Sequence, residues 1–317
     1  MNTQRFQKML SWRPFSFNND LNEIRDFLLD VYRESSVLHY LIPTKIENHK
    51  YGPCGTSYTK KDDEDITIWK LKEKGANSNI IAVCHRGPAR NYHIEIQPQY
   101  KYLERELFLT LEKIEQDENP DLKGELRLIH YNVATDPVRK TTLEELHYKN
   151  LGLHEFNYIR PKESPIPSYI LPQGFTIRHI EGKNDFSAYI DVVGSVLPHC
   201  EENMSIEKLI FMSEAEFYHP DLNLIVETAD GEFVAFCTFR FDPRTKIAEL
   251  ELLGVHPKYA QLQLKTALVC EGLERLIKYQ PNMVCVVESD IYDENNLIYE
   301  ATGFSIKVPM NMWAKIL

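Results

Sequence analysis

The chain predicts an α+β fold made of two similar units in tandem, and three observations predict it. Ile247 to Tyr279 reads as a strand feeding into a long helix. The order of strands, turns and helices before residue 160 recurs after residue 174. Between them, Arg160 to Gly174 carries four prolines, the composition of an extended connector. The expected division is an N-terminal unit over 1–160, a linker over 161–174 and a C-terminal unit over 175–317.

Ile247, Leu250, Leu252, Leu253 and Val255 form a nearly continuous apolar run, the pattern of a strand covered on both faces. His256-Pro257 stops it, since proline cannot donate to a ladder. From Ala260 the period becomes helical: Leu264, Leu268, Leu273, Leu276 and Ile277 recur on one stripe, with Gln261, Gln263, Lys265, Glu274 and Lys278 turned away. The start of such a helix leaves main-chain N–H groups unpaired, which is where an anion binds.

The earlier elements follow the same order twice. Leu10 to Pro14 and a helix over Leu21 to Tyr32 match Phe175 to Ile180 and a helix over Phe186 to Leu197. Strands Ile66–Trp69 and Leu222–Val226 lead through turns at Gly75–Asn77 and Ala229–Gly231 into Ile80–Cys84 and Phe233–Cys237. Ile94 to Tyr100, with a helix to Ile114, matches Gly254 to Tyr259 with its helix, and Tyr148–Leu153 matches Tyr299–Phe304. The offsets, 237 − 84 = 153, 257 − 98 = 159 and 299 − 148 = 151, wander only as loop insertions allow. Asp62 to Asp65 reads as a solvated acidic loop.

At 317 residues the chain suits two cores. A formal charge of −11 disfavours nucleic acid or an anionic membrane as partner, because both demand a basic face, and suits small amines or basic peptides better. The six cysteines stand singly, with no C-x-x-C pair, and read as buried reduced thiols of a cytoplasmic protein. The opening MNTQRFQKMLSWRPF has no apolar leader core, and no apolar stretch approaches the roughly 20 residues of a membrane span. There is no metal-ligand spacing, Walker loop, G-x-S-x-G or dinucleotide fingerprint.

Glu251 to Tyr259 resembles the strand ending of the GNAT superfamily of acyl-CoA-dependent N-acyltransferases, Leu268 to Leu273 continues the likeness, and Asn296 to Phe304 is similar to that family's Asn-x-x-Tyr-Glu-x-x-Gly-Phe ending. The resemblance implies a tandem of two such domains, each a mixed central sheet flanked by helices, with acetyl-CoA as cosubstrate and a small-molecule or peptide amine as acceptor. It also implies a diphosphate at the start of the second long helix. There the family has a form like Arg-Gly-x-Gly-x-Gly, whereas this chain has Ala260-Gln261-Leu262-Gln263-Leu264-Lys265. Main-chain donors survive that change; close approach is what glycine would have eased.

On this basis Leu253, Gly254, Val255, Lys258, Tyr259, Ala260, Gln261, Leu262, Gln263, Leu264 and Lys265 are expected around acetyl-CoA, with Asn296 on the pantetheine arm. An amine attacking a thioester must lose a proton, so a base is needed, and an acid returns one to the thiolate. Glu251, on the central strand just before the turn, is the expected base, with Glu249 on the same face as substitute. Tyr299 is the expected acid. Asn295 could also bond the pantetheine arm, or one of Asn295 and Asn296 caps the helix instead; His256 could be a second base or an anion contact, or a structural turn residue. In the first half, Glu104 and Glu106 at the helix start would repel a diphosphate, so the second half is the expected catalytic one. The competing reading is a catalytically inactive relative acting as a binding or scaffold module.

Overall fold

Alternating and fully apolar runs, punctuated by Gly and Pro, form the strands, and the 3.6-residue stripes form the helices that cover them. The computed structural model describes residues 10–54, 58–71, 79–122 and 124–317. In chain order the elements are β1 (Leu10–Pro14), α1 (Phe17–Ser35), α2 (Pro43–Tyr51), β2 (Ile66–Leu71), β3 (Ile80–Gly87), β4 (Asn91–Ile96), α3 (Glu104–Glu118), β5 (Arg127–Val133), α4 (Pro137–Glu145), β6 (Lys149–Arg160) and β7 (Phe175–His179). There follow α5 (Lys183–Val196), α6 (Pro198–Asn203), α7 (Ile206–Met212), β8 (Asn223–Thr228), β9 (Phe233–Asp242), β10 (Ile247–Val255), α8 (Leu264–Leu276), β11 (Met283–Asp290), α9 (Asn295–Ala301) and β12 (Ile306–Ile316). The expected turn at Gly75–Asn77 and the first nine residues lie outside the described residues.

Two compact units result, with a division that differs from the one expected from sequence. The first holds the described residues up to Ile42, Thr59–Asn157 and Val308–Leu317; the second holds Pro43–Tyr58 and Tyr158–Lys307. Two segments have thus changed sides. Val308–Leu317 joins the first unit because β12 pairs antiparallel with β5, from Met310↔Val133 to Ile316↔Arg127, and drives Trp313 into that unit's core. Pro43–Tyr58 joins the second because the Glu47 carboxylate accepts the amides of Glu216 and Phe217, at 2.6 and 3.1 Å, and Cys54 is disulfide-bonded to Cys200. That pair overturns the reading of all six cysteines as reduced; Cys84, Cys237, Cys270 and Cys285 are free and buried. The long sequence separation hides such a bridge, whose formation depends only on where the fold places two β-carbons.

In the first unit the strand order runs β1-β2-β3-β4-β5-β12, with β4 and β5 parallel. Trp69, Phe108, Leu128, Leu143 and Trp313 fill its core. The acidic run expected to be a solvated loop is a 3-10 turn, Lys60–Asp65, whose Asp63 is buried and accepts the Phe17 amide at 3.2 Å. In the second unit the order is β11-β10-β9-β8-β7, with β10 and β11 parallel. Every residue of β9 is buried, and α8 lies against it. A β-carbon on Gly272 would sit 2.3 Å from the Phe239 ring, so only glycine allows that approach.

The two units end their last helices alike. Tyr148 N donates to Leu143 O and His147 N to Glu144 O, just as Phe304 N donates to Tyr299 O and Gly303 N to Glu300 O. His147 and Gly303 hold the left-handed cap at φ 65° and 94°. The register is therefore 304 − 148 = 156, so Tyr148 corresponds to Phe304 and the counterpart of Tyr299 is Leu143. Sequence matching on the tyrosine had slipped by five residues, drawn by Gly152, which lies within β6.

Candidate active site

Parallel pairing of β10 with β11 covers Ile247–Glu249 against Met283–Cys285 and stops there. On its other edge β10 shifts register against β9 between Leu250 and Leu253, with Leu252 in the left-handed region at φ 71°. This bulge takes Glu251 and Leu252 out of the ladder with β9. The β3–β4 ladder of the first unit keeps constant register throughout. Gly254, just beyond the bulge, faces Phe236 so closely that a β-carbon would lie 2.3 Å from the ring.

Five charged side chains meet at this gap, Lys45, Arg240, Glu249, Glu251 and Glu288, and sequence reasoning found two of them. Lys45, from α2, places its ammonium 3.0 Å from Glu251, 3.4 Å from Glu249 and 3.4 Å from Glu288. Glu249 is fully buried and accepts from Thr44 Oγ1 at 2.7 Å, and Arg240 lies within 4 Å of both β10 carboxylates. Burial alone would raise Glu251, but Lys45 and Arg240 pull it down to about 2. Burial raises Glu249 and Glu288, against the pull of Lys45. Lys45 and Thr44 lie over 200 residues from their partners, and no spacing rule reaches that far. Glu288 did carry a signal: it is the acid that interrupts the apolar run Met283–Val287.

Tyr299 is buried beside Tyr158 and Phe304, with ring centroids 5.6 and 6.0 Å away. Burial, then Asp293 and Glu251, hold its phenol well above the ordinary range, so it keeps its proton at neutral pH. Asn296 is occupied: its side-chain oxygen accepts from Tyr158 and Ser289 at 2.8 and 3.0 Å, and its nitrogen donates to Asp290 O at 2.8 Å. It braces the start of α9. Asn295 accepts from Lys265 at 2.9 Å.

After β10, Pro257–Leu262 forms a 3-10 turn, Gln263 adopts φ 55°, and α8 starts with no side-chain cap. Gln261 and Gln263 are exposed. His256 Nδ1 accepts the Lys258 amide at 3.2 Å and closes its own turn. Lys258 lies over the Tyr259 ring, and Tyr259 donates to Glu232 at 2.7 Å. Lys265 bridges to Glu294 at 2.5 Å. Leu253, Gly254, Val255 and Leu264 are buried, while Ala260 is exposed and Leu262 half-buried.

No family model matches the sequence. A mycothiol acetyltransferase of Thermomonospora curvata is 28% identical over 150 residues, 45% of this chain and 48% of that protein; one of Streptomyces griseus is 26% identical over 162 residues, 49% and 52%. The chain therefore spans about half the length of the curated relatives it matches. A GCN5-related N-acetyltransferase of Sphaerobacter thermophilus superposes with a TM-score of 0.66 at 14% identity, covering 97% of this chain and 95% of the other. A tandem GNAT protein from the clavulanic acid biosynthesis pathway superposes with a TM-score of 0.63 at 12% identity, covering 97% and 98%.

Proposed function

We propose that this chain, which folds as a tandem of two GNAT-type acetyltransferase domains, transfers an acetyl group from acetyl-CoA to a primary amine of a small molecule or peptide, using the second unit. The observation that carries the reading is the bulged, splayed end of β10 followed at once by an open helix start. The bulge supplies main-chain groups for the pantetheine arm and an N–H for the oxyanion. The turn and the first amides of α8 receive the diphosphate, with Lys258 nearby as a point charge. Tyr299, protonated at neutral pH, stands as the acid for the departing thiolate.

Three carboxylates around one ammonium suit an acceptor that arrives as a cation. With Glu251 held near 2, its role is to stay charged and draw in the amine, while Glu288, raised by burial, is the stronger base. In this reading the acceptor amine takes over contacts that Lys45 makes in the resting protein. The same lysine favours a second reading, an inactive relative whose acceptor side is filled by its own side chain.

Titration of acetyl-CoA into the protein, followed by acetylation of a panel of primary amines, separates the two. The transferase reading expects saturable binding and turnover, with Tyr299→Phe lowering kcat by roughly 10²–10⁴ while leaving cofactor affinity unchanged. Binding without turnover on any amine supports the inactive module; no binding removes the transferase reading.

A further inference from the structure

The first unit, taken by itself, contains a largely apolar cavity with charged side chains in its wall that the proposed chemistry does not use. Its parallel pair, β4 and β5, is joined only over Asn91–Tyr92 with Ile129–His130. Beyond that point lies a cavity of about 300 Å³, with Val31, Val37, Ile96 and Val133 among its walls. His39, Glu95, Lys101, Asp136 and Arg139 face it. This volume is at the small end for ligand sites and is too small for a whole coenzyme. The unit also lacks the bulge of β10 and has Leu143 where the second unit has Tyr299, so it is not set up for thioester chemistry.

We propose that this cavity binds a small monocarboxylate with a short aliphatic body, its carboxylate held among Lys101, Arg139 and the carboxyl of Glu95. Both cations are anchored: Lys101 to Asp136 at 2.5 Å, and Arg139 to the buried Glu104 at 2.6 Å. His39 Nδ1 stands 3.6 Å from Glu95 Oε2, too far for a direct hydrogen bond. The carboxyl of Glu95 accepts the Leu41 amide, which leaves its proton for a ligand.

The groups around Glu95 are His39 after α1, Lys101 in the turn after β4, Glu104 on α3 and Arg139 on α4, with Asp136, the cap of α4, acting on His39, and His93 two residues back on its own strand stacked against Tyr40 and Tyr131. Burial raises Glu95 to about 8, against the pull of Arg139 and Lys101. Burial, then the same two cations, lowers His39 to about 3, so the imidazole is neutral and the field at this wall is positive. A protonated Glu95 donates to an incoming carboxylate; an ionised one repels it. A cationic amine would meet Lys101 and Arg139 instead.

Butyrate binding to the intact chain, followed by calorimetry and by the His39 ring resonances, tests the proposal. Affinity at pH 9 is expected to be about tenfold weaker than at pH 7, as a donor titrating near 8 loses its proton. Glu95→Gln, which keeps a donor that does not titrate, is expected to bind with no such pH dependence, and Lys101→Gln, at a partly exposed site, to bind several-fold more weakly at both pH values. Absence of saturable binding, equal wild-type affinity at pH 7 and 9, or competitive displacement of butyrate by acetyl-CoA would each overturn it. None of these readouts depends on acetyl transfer, so failure here leaves the reading of the second unit standing.

Discussion

Lys45 holds three carboxylates together, of which Glu249 is fully buried, so its removal leaves like charges crowded beside Arg240. Losing one partner of such a cluster costs about 3–5 kcal/mol, and Lys45→Met is expected to lose about that much in denaturant unfolding. The pH dependence has a definite sign. Glu251 is lower in the folded protein, about 2, than its ordinary 4.5, so its contribution is complete above about 4.5 and is lost as pH falls toward 2. Wild-type stability should fall across that window, and Lys45→Met should lack this component; parallel curves would show that Lys45 does not set the Glu251 titration. Glu251 and Tyr299 were singled out through the resemblance of the segments that hold them, which end at Pro257 and at Gly303-Phe304, and their roles belong to the proposal. Lys45 and Thr44 were not legible in the sequence, because a contact across more than 200 residues leaves no periodicity; Arg240 was not, because its place opposite Glu249 depends on the β9–β10 register.

The proposed function rests on the strand-bulge-turn-helix run from Ile247 to Leu276, whose strand and helix were readable from the apolar run and the change of period at Pro257. The bulge was not: a left-handed Leu252 has no sequence signature, since the conformation favours glycine and here tertiary packing imposes it. Gly254→Ala, forced against Phe236, should cost about 1–3 kcal/mol and shift the strand end. Thermal unfolding together with acetyl-CoA titration checks this; unchanged stability would mean that the ring moves aside freely. The α2 segment is a second such element. The Cys54–Cys200 bridge closes a separation of 146 residues, worth about 4–5 kcal/mol in the chain-entropy account, so reduction or Cys200→Ser should lower the unfolding midpoint. A midpoint insensitive to reductant would contradict that.

For the whole molecule, the repeat of element order was visible because each unit must bury the same set of faces, and hydrophobic spacing records that need. The exchange of Val308–Leu317 and Pro43–Tyr58 between units was not visible, because an alternating strand or a short amphipathic helix fits either sheet equally well by pattern. The two units have also diverged at the site itself, by a bulge in one and a leucine in place of tyrosine in the other, so their chemistry is not expected to be shared. The proposed transfer requires the second unit's helix start to grip a diphosphate with Gln261 and Gln263 in place of glycines. Calorimetric titration of acetyl-CoA into the wild type and into Gln261→Glu/Gln263→Glu tests it most directly. Saturable binding in the wild type, weakened at least roughly tenfold when two carboxylates flank the open amides, is the predicted result. No binding to the wild type, or equal binding to both proteins, would contradict it.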